Sequence, residues 1–321
     1  MVLVMCANAG IDRTYEVENF ALGAYHTPRR FRADAGGKGV NVARSLRALG
    51  LEVALVGFAG GMSRQFIAGR LARQNIVTDL VPIGEDSRLC INIVDPVHKS
   101  QTRVDEVSPL VTPDEVARLK RQWWRLLERV ELAIISGSAP RGVPFHFYAE
   151  MVFLAKQKQV RVILDARDQL LEAAIEAAPD VIKPNLAELE RLIGSSLSVP
   201  EGVVEAGRAL ISRGIRTVIV SLGNRGAIFL TPDQGEYWAA PPEVEFVSSV
   251  GCGDAMVAGL AAATVRREPL EQRMRWAVAA GASAASTFGA ALELKEDVEK
   301  LLPGVVVERL DQGTALPPAD G

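Results

Sequence analysis

Val160-Arg-Val-Ile-Leu-Asp165 is a short β-branched run, and runs like it recur along the chain: Val53-Ala-Leu-Val-Gly-Phe58, Leu132-Ala-Ile-Ile-Ser136, Val181-Ile-Lys183 and Thr217-Val-Ile-Val-Ser221. Longer stretches lie between them. Residues 41–49, 113–128, 144–156 and 200–213 carry apolar residues at three- and four-residue steps, the period of a helix with one buried face. Strand then helix, repeated, is the rhythm of βαβ units around a mostly parallel sheet buried on both faces. The start, Met1-Val-Leu-Val-Met-Cys-Ala-Asn8, lacks the basic region of a leader and reads as the first buried strand.

Two segments break the rhythm. Residues 13–33 and 88–104 alternate apolar with polar residues and show no helix period, so they read as exposed strands that meet as a small β lid over one edge of the main unit. The alternative is a pair of irregular loops. The expected organisation is an α/β unit of residues 1–12, 34–87 and 105–311, a lid of 13–33 and 88–104, and a flexible tail at 312–321.

With 321 residues, 48% of them hydrophobic, the chain can bury a substantial core, which excludes disorder. Lys and Arg number 36 against 39 Asp and Glu, without a long run of one sign, so neither nucleic acid nor a membrane surface is expected as a partner. The longest charge-free stretch, Trp276 to Leu292, holds about 17 residues against the ~20 of a membrane-spanning helix, and reads as a tightly packed helix and the segment after it. Cys6, Cys90 and Cys252 stand far apart with no CxxC spacing, which argues against zinc or disulfides and for a reducing, cytoplasmic setting. His26, His98 and His146 are scattered and receive no role.

Two glycine-rich loops carry the chemistry. Gly36-Gly37-Lys38-Gly39-Val40-Asn41 leads into a helix, where backbone N–H groups favour anions. Its spacing is that of neither a Walker A loop nor a dinucleotide fingerprint, and a tight turn with a solvated lysine remains the alternative. Ser249-Val-Gly251-Cys252-Gly253-Asp254 opens a run of small residues, and the N–H groups of Gly251, Cys252 and Gly253 would line a nest at the helix mouth. Asp254 is then either a plain N-cap or a general base beside that nest. A thiol at such a mouth, Cys252, would have a lowered pKa unless it is an inert buried group.

Lys183-Pro-Asn185-Leu-Ala-Glu188 directly follows a strand, so Asn185 and Glu188 can share one hard cation or its waters, or form a capping box. Ser221-Leu-Gly223-Asn-Arg-Gly226 suits close approach by a nucleotide, or a hairpin.

In this order, Ala9-Gly-Ile-Asp12, Gly36 to Arg44, Gly57-Phe-Ala-Gly-Gly61, Ser136-Gly-Ser-Ala-Pro-Arg-Gly-Val-Pro144, Lys183 to Leu189, Val220-Ser-Leu-Gly223 and Ser249 to Gly259 make a set. The chain resembles the ribokinase/PfkB family of sugar kinases, and within it the hexose-phosphate branch of 1-phosphofructokinase and tagatose-6-phosphate kinase type. The resemblance implies a ribokinase-like three-layer α/β/α sandwich with a β lid. It implies an ATP- and Mg²⁺-dependent transfer to a primary hydroxyl of a ketohexose phosphate, and the exposed strands of the lid are expected to pair two chains into a homodimer.

The resemblance also implies roles for residues. Asp254 would be the base, with Gly251, Cys252 and Gly253 as the anion hole. Asn185 and Glu188 would organise Mg²⁺ through water. Lys183, Ser221, Gly223 and Gly226 would lie along the ATP phosphates and ribose, with the adenine near Gly281 and Ser283. Asp12, Gly37, Lys38, Asn41 and Ser136 would bind the acceptor sugar, and Arg88 its phosphate. The chain departs from the branch at His26-Thr27, at Thr102-Arg103-Val104-Asp105 and at Asp165-Ala-Arg167-Asp168, all toward the acceptor. A same-fold kinase for an unphosphorylated sugar or a nucleoside, and a catalytically silent ligand-binding relative, are the alternatives.

Overall fold

Every side chain of β1 (Val2–Cys6) is buried, and they alternate between two cores: Val2, Val4 and Cys6 belong to one, Leu3 and Met5 to the other. Period-two alternation of apolar residues on both faces is what a central strand of a covered sheet requires. The computed structural model describes residues 1–310 and Leu316, and β1 lies inside its larger sheet.

Among the described residues that sheet has ten strands. They run in the order β14 (Val306–Arg309), β13 (Gly235–Ala240), β12 (Ala227–Thr231), β11 (Thr217–Ser221), β10 (Val181–Ile182), β9 (Arg161–Asp165), β8 (Leu132–Ser136), β1, β4 (Val53–Gly60) and β5 (Val77–Ile83). Pairing is parallel from β11 to β5 and antiparallel from β11 to β14. The antiparallel edge departs from the repeating rhythm of the sequence. Gly223 and Gly226, both at positive φ, turn the chain straight back after β11, so no α-helix intervenes.

Helices cover both faces. Lys38–Ala48, Cys252–Val265 and Leu270–Ala285 pack on one core, and Pro113–Leu127, Phe147–Gln157, Asp168–Ile175, Leu186–Ile193 and Glu201–Ser212 on the other. The fold is a three-layer α/β/α sandwich. The small residues after Asp254 let two helices touch backbone to backbone: a Cβ on Gly259 would stand 2.3 Å from the Trp276 carbonyl oxygen.

A second sheet takes in the irregular segments, in the order β3 (Arg30–Gly36), β2 (Gly10–Glu16), β6 (Leu89–Asp95) and β7 (Ser100–Asp105). Its register sets Asp12 opposite Cys90 and Cys90 opposite Asp105, and Arg103, two residues from Asp105, shares their face. The residues expected as a tail lie outside the described residues except Leu316, which packs against a core. No described helix is long and apolar enough to cross a membrane.

Candidate active site

Parallel strands end together, and at the carboxyl ends of β8 to β11 they present Ser136, Asp165, Lys183 and Ser221. The carboxyl ends of such strands, capped by helix mouths, are where α/β sheets bind ligands. Here they floor a cleft of about 1280 Å³ that the second sheet overhangs.

Asp165 is the hub of the floor. Its carboxylate is fully buried, 3.2 Å from the Lys183 ammonium, 3.5 Å from that of Lys38 and 3.4 Å from the Ser136 hydroxyl, which donates to it. Burial opposes its charge, yet the two lysines hold the carboxyl below its ordinary range. Asp165 in turn pushes the Lys38 ammonium above its ordinary value.

Asp254 is buried in the first turn of the helix Cys252–Val265, and its Oδ2 accepts a hydrogen bond of 2.9 Å from Asn41 Nδ2. Burial, and then the charge of Asp165, raise its pKa to about 7, against the pull of Lys38, Asn41 and Lys183. Gly251 precedes the helix at φ 83°, and a Cβ there would meet the Ala290 carbonyl oxygen at 2.1 Å, so the turn requires glycine. The N–H of Ala255 returns to the Gly251 carbonyl, while the first helical N–H groups have no intrahelical acceptor. The N–H of Cys252 reaches the Ser249 carbonyl at a long 3.5 Å. Lys183 completes the nest: a Cβ on Gly253 would be 3.4 Å from its Nζ.

Of the two readings of Cys252, the inert buried thiol is the one that holds. Burial and the Asp254 charge push its thiol up to about 11, outweighing the helix mouth, and its Sγ points to the Ser248 carbonyl oxygen at 3.5 Å.

Asn185 and Glu188 form a reciprocal capping box: Asn185 Oδ1 accepts from the Glu188 N–H at 2.8 Å, and Glu188 Oε2 from the Asn185 N–H at 2.9 Å. Both still line the cleft, as do Gly223, Gly226 and Gly281. Ser283 is buried in the helix Leu270–Ala285 and does not line it. The wall beside Gly281 is apolar, built from Phe246, Val250, Val278 and Ala282.

From above, Asp12, Arg88, Arg103 and Asp105 face the cleft. Burial raises the Asp12 pKa, and Arg103 and Arg88 draw it back. Arg103 donates to Asp105 at 2.8 Å and, against burial, holds that carboxyl below its usual range. Arg88 Nε and Asn41 Oδ1 are buried without a hydrogen-bond partner among the described residues, so both await one. Asn8 joins the site from the turn after β1, donating to Ser108 and Ser138 at 2.8 and 3.1 Å.

Of the residues singled out in the sequence, the cleft therefore gathers Asp12, Gly37, Lys38, Asn41, Arg88, Ser136, Lys183, Asn185, Glu188, Ser221, Gly223, Gly226, Gly251, Cys252, Gly253, Asp254 and Gly281. It adds Asn8, which no local pattern marks, and beneath its floor lies the buried Asp165, first residue of the segment Asp165-Ala-Arg167-Asp168.

Comparison with known proteins agrees in kind. Residues 3–297 match the pfkB family carbohydrate kinases. A 1-phosphofructokinase of Bacillus subtilis is 30% identical, covering 97% of this chain and 100% of that protein. A tagatose-6-phosphate kinase of Staphylococcus epidermidis is 33% identical, with coverage of 88% and 91%. The crystal structure of phosphofructokinase-2 from Escherichia coli in complex with potassium superposes with a TM-score of 0.88 at 26% identity, over 94% of this chain and 98% of that one. The chain belongs to the pfkB family of carbohydrate kinases, phosphotransferases with an alcohol group as acceptor.

Proposed function

We propose, from that membership and from the cleft, that the chain transfers the γ-phosphoryl group of ATP to a primary hydroxyl of a ketohexose phosphate: fructose 1-phosphate, fructose 6-phosphate or tagatose 6-phosphate. The observation that carries the reading is Asp254, a buried carboxylate fixed by Asn41 at a helix mouth, with a pKa raised to about 7. A base tuned to neutrality accepts a hydroxyl proton efficiently at the pH where the enzyme works.

Transfer then demands positioning and charge stabilisation more than covalent chemistry. The first N–H groups of the Cys252–Val265 helix and the Lys183 ammonium converge where charge on the phosphoryl group would develop. Asp165 holds both lysines in place and keeps Asp254 basic. The glycine-lined half, walled by Phe246 and Val278, suits an adenine and ribose.

Asn185 and Glu188 offer oxygen donors of the kind Mg²⁺ takes through water. No group of three metal-ligating His, Cys, Asp or Glu stands among the described residues, so the remaining ligands would be waters and phosphate oxygens. The ion, when bound, would neutralise phosphate charge.

On the acceptor side, Asp12 and the unpartnered Asn41 Oδ1 suit sugar hydroxyls, and Arg88 suits the substrate's own phosphate. Arg103, where the branch carries a carboxylate, is paired with Asp105 on the same wall, so Arg88 and Lys38 are the cations that favour a phosphorylated acceptor over a neutral one. Closure of the small sheet would exclude water. A cytoplasmic homodimer paired through that sheet fits Phe31 and Val104, exposed on its two outer strands.

The test is ADP release with Mg-ATP over a panel of fructose 1-phosphate, fructose 6-phosphate, tagatose 6-phosphate, fructose, ribose and adenosine. Turnover on a phosphosugar that collapses in Asp254→Asn is expected. Turnover on an unphosphorylated acceptor alone overturns the substrate class.

A further inference from the structure

The strands that floor the cleft also have amino-terminal ends. There, at the opposite pole of the sheet, Leu132, Arg161, Val181 and Thr217 border a second cavity of about 610 Å³. Its apolar wall includes Phe229 and Leu260, and three arginines, Arg161, Arg216 and Arg273, reach it from separate elements.

The charges there are not balanced pair by pair. Arg216, the most exposed, stands 3.9 Å from Asp180 Oδ1, and Asp180 Oδ2 is already taken by the Val162 N–H at 2.9 Å. Asp233 lies on the exposed turn between β12 and β13 and makes no ion pair with either remaining arginine. Arg273 spends its Nε on the Glu268 carbonyl at 2.6 Å, a neutral acceptor. Half-buried Arg161 has neither a hydrogen bond nor an ion pair from its side chain among the described residues. Burial and the nearby charge of Arg161 both lower the Arg273 pKa, as expected of two cations that share a recess without a counterion.

Cations gathered in a recess beside an apolar wall, with donor N–H groups left over, are the recognition chemistry of phosphate. The recess also borders Leu270, the first residue of a 16-residue helix, whose opening N–H groups add positive potential.

We propose that this polar cavity is a binding site for a small phosphorylated metabolite, its phosphate held between Arg161 and Arg273 and its body laid against Phe229 and Leu260. The site is separate from the cleft and does not depend on what the cleft phosphorylates. The volume suits a small metabolite and excludes a polymer.

The experiment is calorimetric titration of pyrophosphate, and separately of citrate, into the intact chain and its Arg161→Gln and Arg273→Lys variants in a low-chloride buffer. Arg273→Lys keeps the charge but loses the guanidinium fork and the Nε donor to Glu268, so a melting curve of each variant beside the unaltered protein separates lost binding from a folding defect. Pyrophosphate should show a binding event beyond that of the cleft. That event should weaken about tenfold or more in each variant, as for loss of a charge-assisted contact, while the cleft event persists. Identical pyrophosphate isotherms in all three proteins overturn the site. Citrate binding at this pole in preference to pyrophosphate overturns the phosphate class.

Discussion

The cleft has two unlike walls. Its floor is buried and over-determined: Asp165 touches two lysines and a serine, Asp254 is pinned by Asn41, and a glycine is locked against Ala290. Its overhang is a sheet whose outer strand β7 is exposed along its whole length and whose charged residues pair with near neighbours, as Arg103 does with Asp105. A rigid floor suits bond chemistry, where a displacement of about 1 Å can cost 10²-fold, whereas an open sheet suits recognition of an acceptor that must enter and leave. The floor should therefore govern kcat and the overhang KM.

The largest test of that division is Asp254→Asn. Turnover should fall about 10²- to 10⁴-fold with KM little changed, read by ADP release. The wild-type rate should rise with pH through about 7, because only the ionised carboxylate accepts a proton, and the variant should lose that dependence. Stability moves the opposite way. A raised carboxyl pKa contributes stability fully present below pH 3.8 and lost as the pH climbs through about 7, so Asp254→Asn should melt higher than wild type at pH 8.

Next is Gly251→Ala, which forces a Cβ against the Ala290 carbonyl at a φ of 83°. A misshapen nest should lower kcat by about 10²-fold, with a lower melting temperature in the same sample. Arg88→Ala should be smaller and of another kind: KM for the phosphosugar rises about 10- to 100-fold while kcat stays within a few-fold. An equal fall in kcat would erase the division between the walls. The smallest effect on turnover belongs to Val104→Lys on the exposed edge of the lid, which should leave kcat within a few-fold while weakening the pairing of two chains through that sheet, read by sedimentation.

The same contrast explains what the sequence made legible. Asp254, Asn41, Asn185 and Glu188 sit in loops that run into helices, so their chemistry is local and the spacing of a few residues announces it. Asp165 is only the last residue of an apolar strand. Its importance arises because β8, β9 and β10 lie side by side and carry Ser136, Asp165 and Lys183 to one level, a matter of strand order that spacing does not encode. Asn8 likewise acquires its role from Ser108 and Ser138, distant in sequence. In the lid, strand character was readable from alternation, but the row Asp12, Cys90 and Asp105 depends on register between separate hairpins. Cys252 shows a local rule overridden: the helix mouth favours a thiolate, and burial beside Asp254 prevents it.

The hydrogen bond from Asn41 to Asp254 joins positions 213 residues apart. The amide belongs to a helix packed on β1 near the start of the chain, and the carboxylate to a helix made only after the strands from β8 to β13. A ribosome therefore releases the amide long before its carboxylate, and an early fragment holds half of the proposed catalytic pair. Activity should be the last property to appear as the chain is synthesised or refolded, since contacts of high sequence separation form slowly. Phosphoryl transfer thus serves as an internal certificate that the segments carrying Asn41 and Asp254 have met.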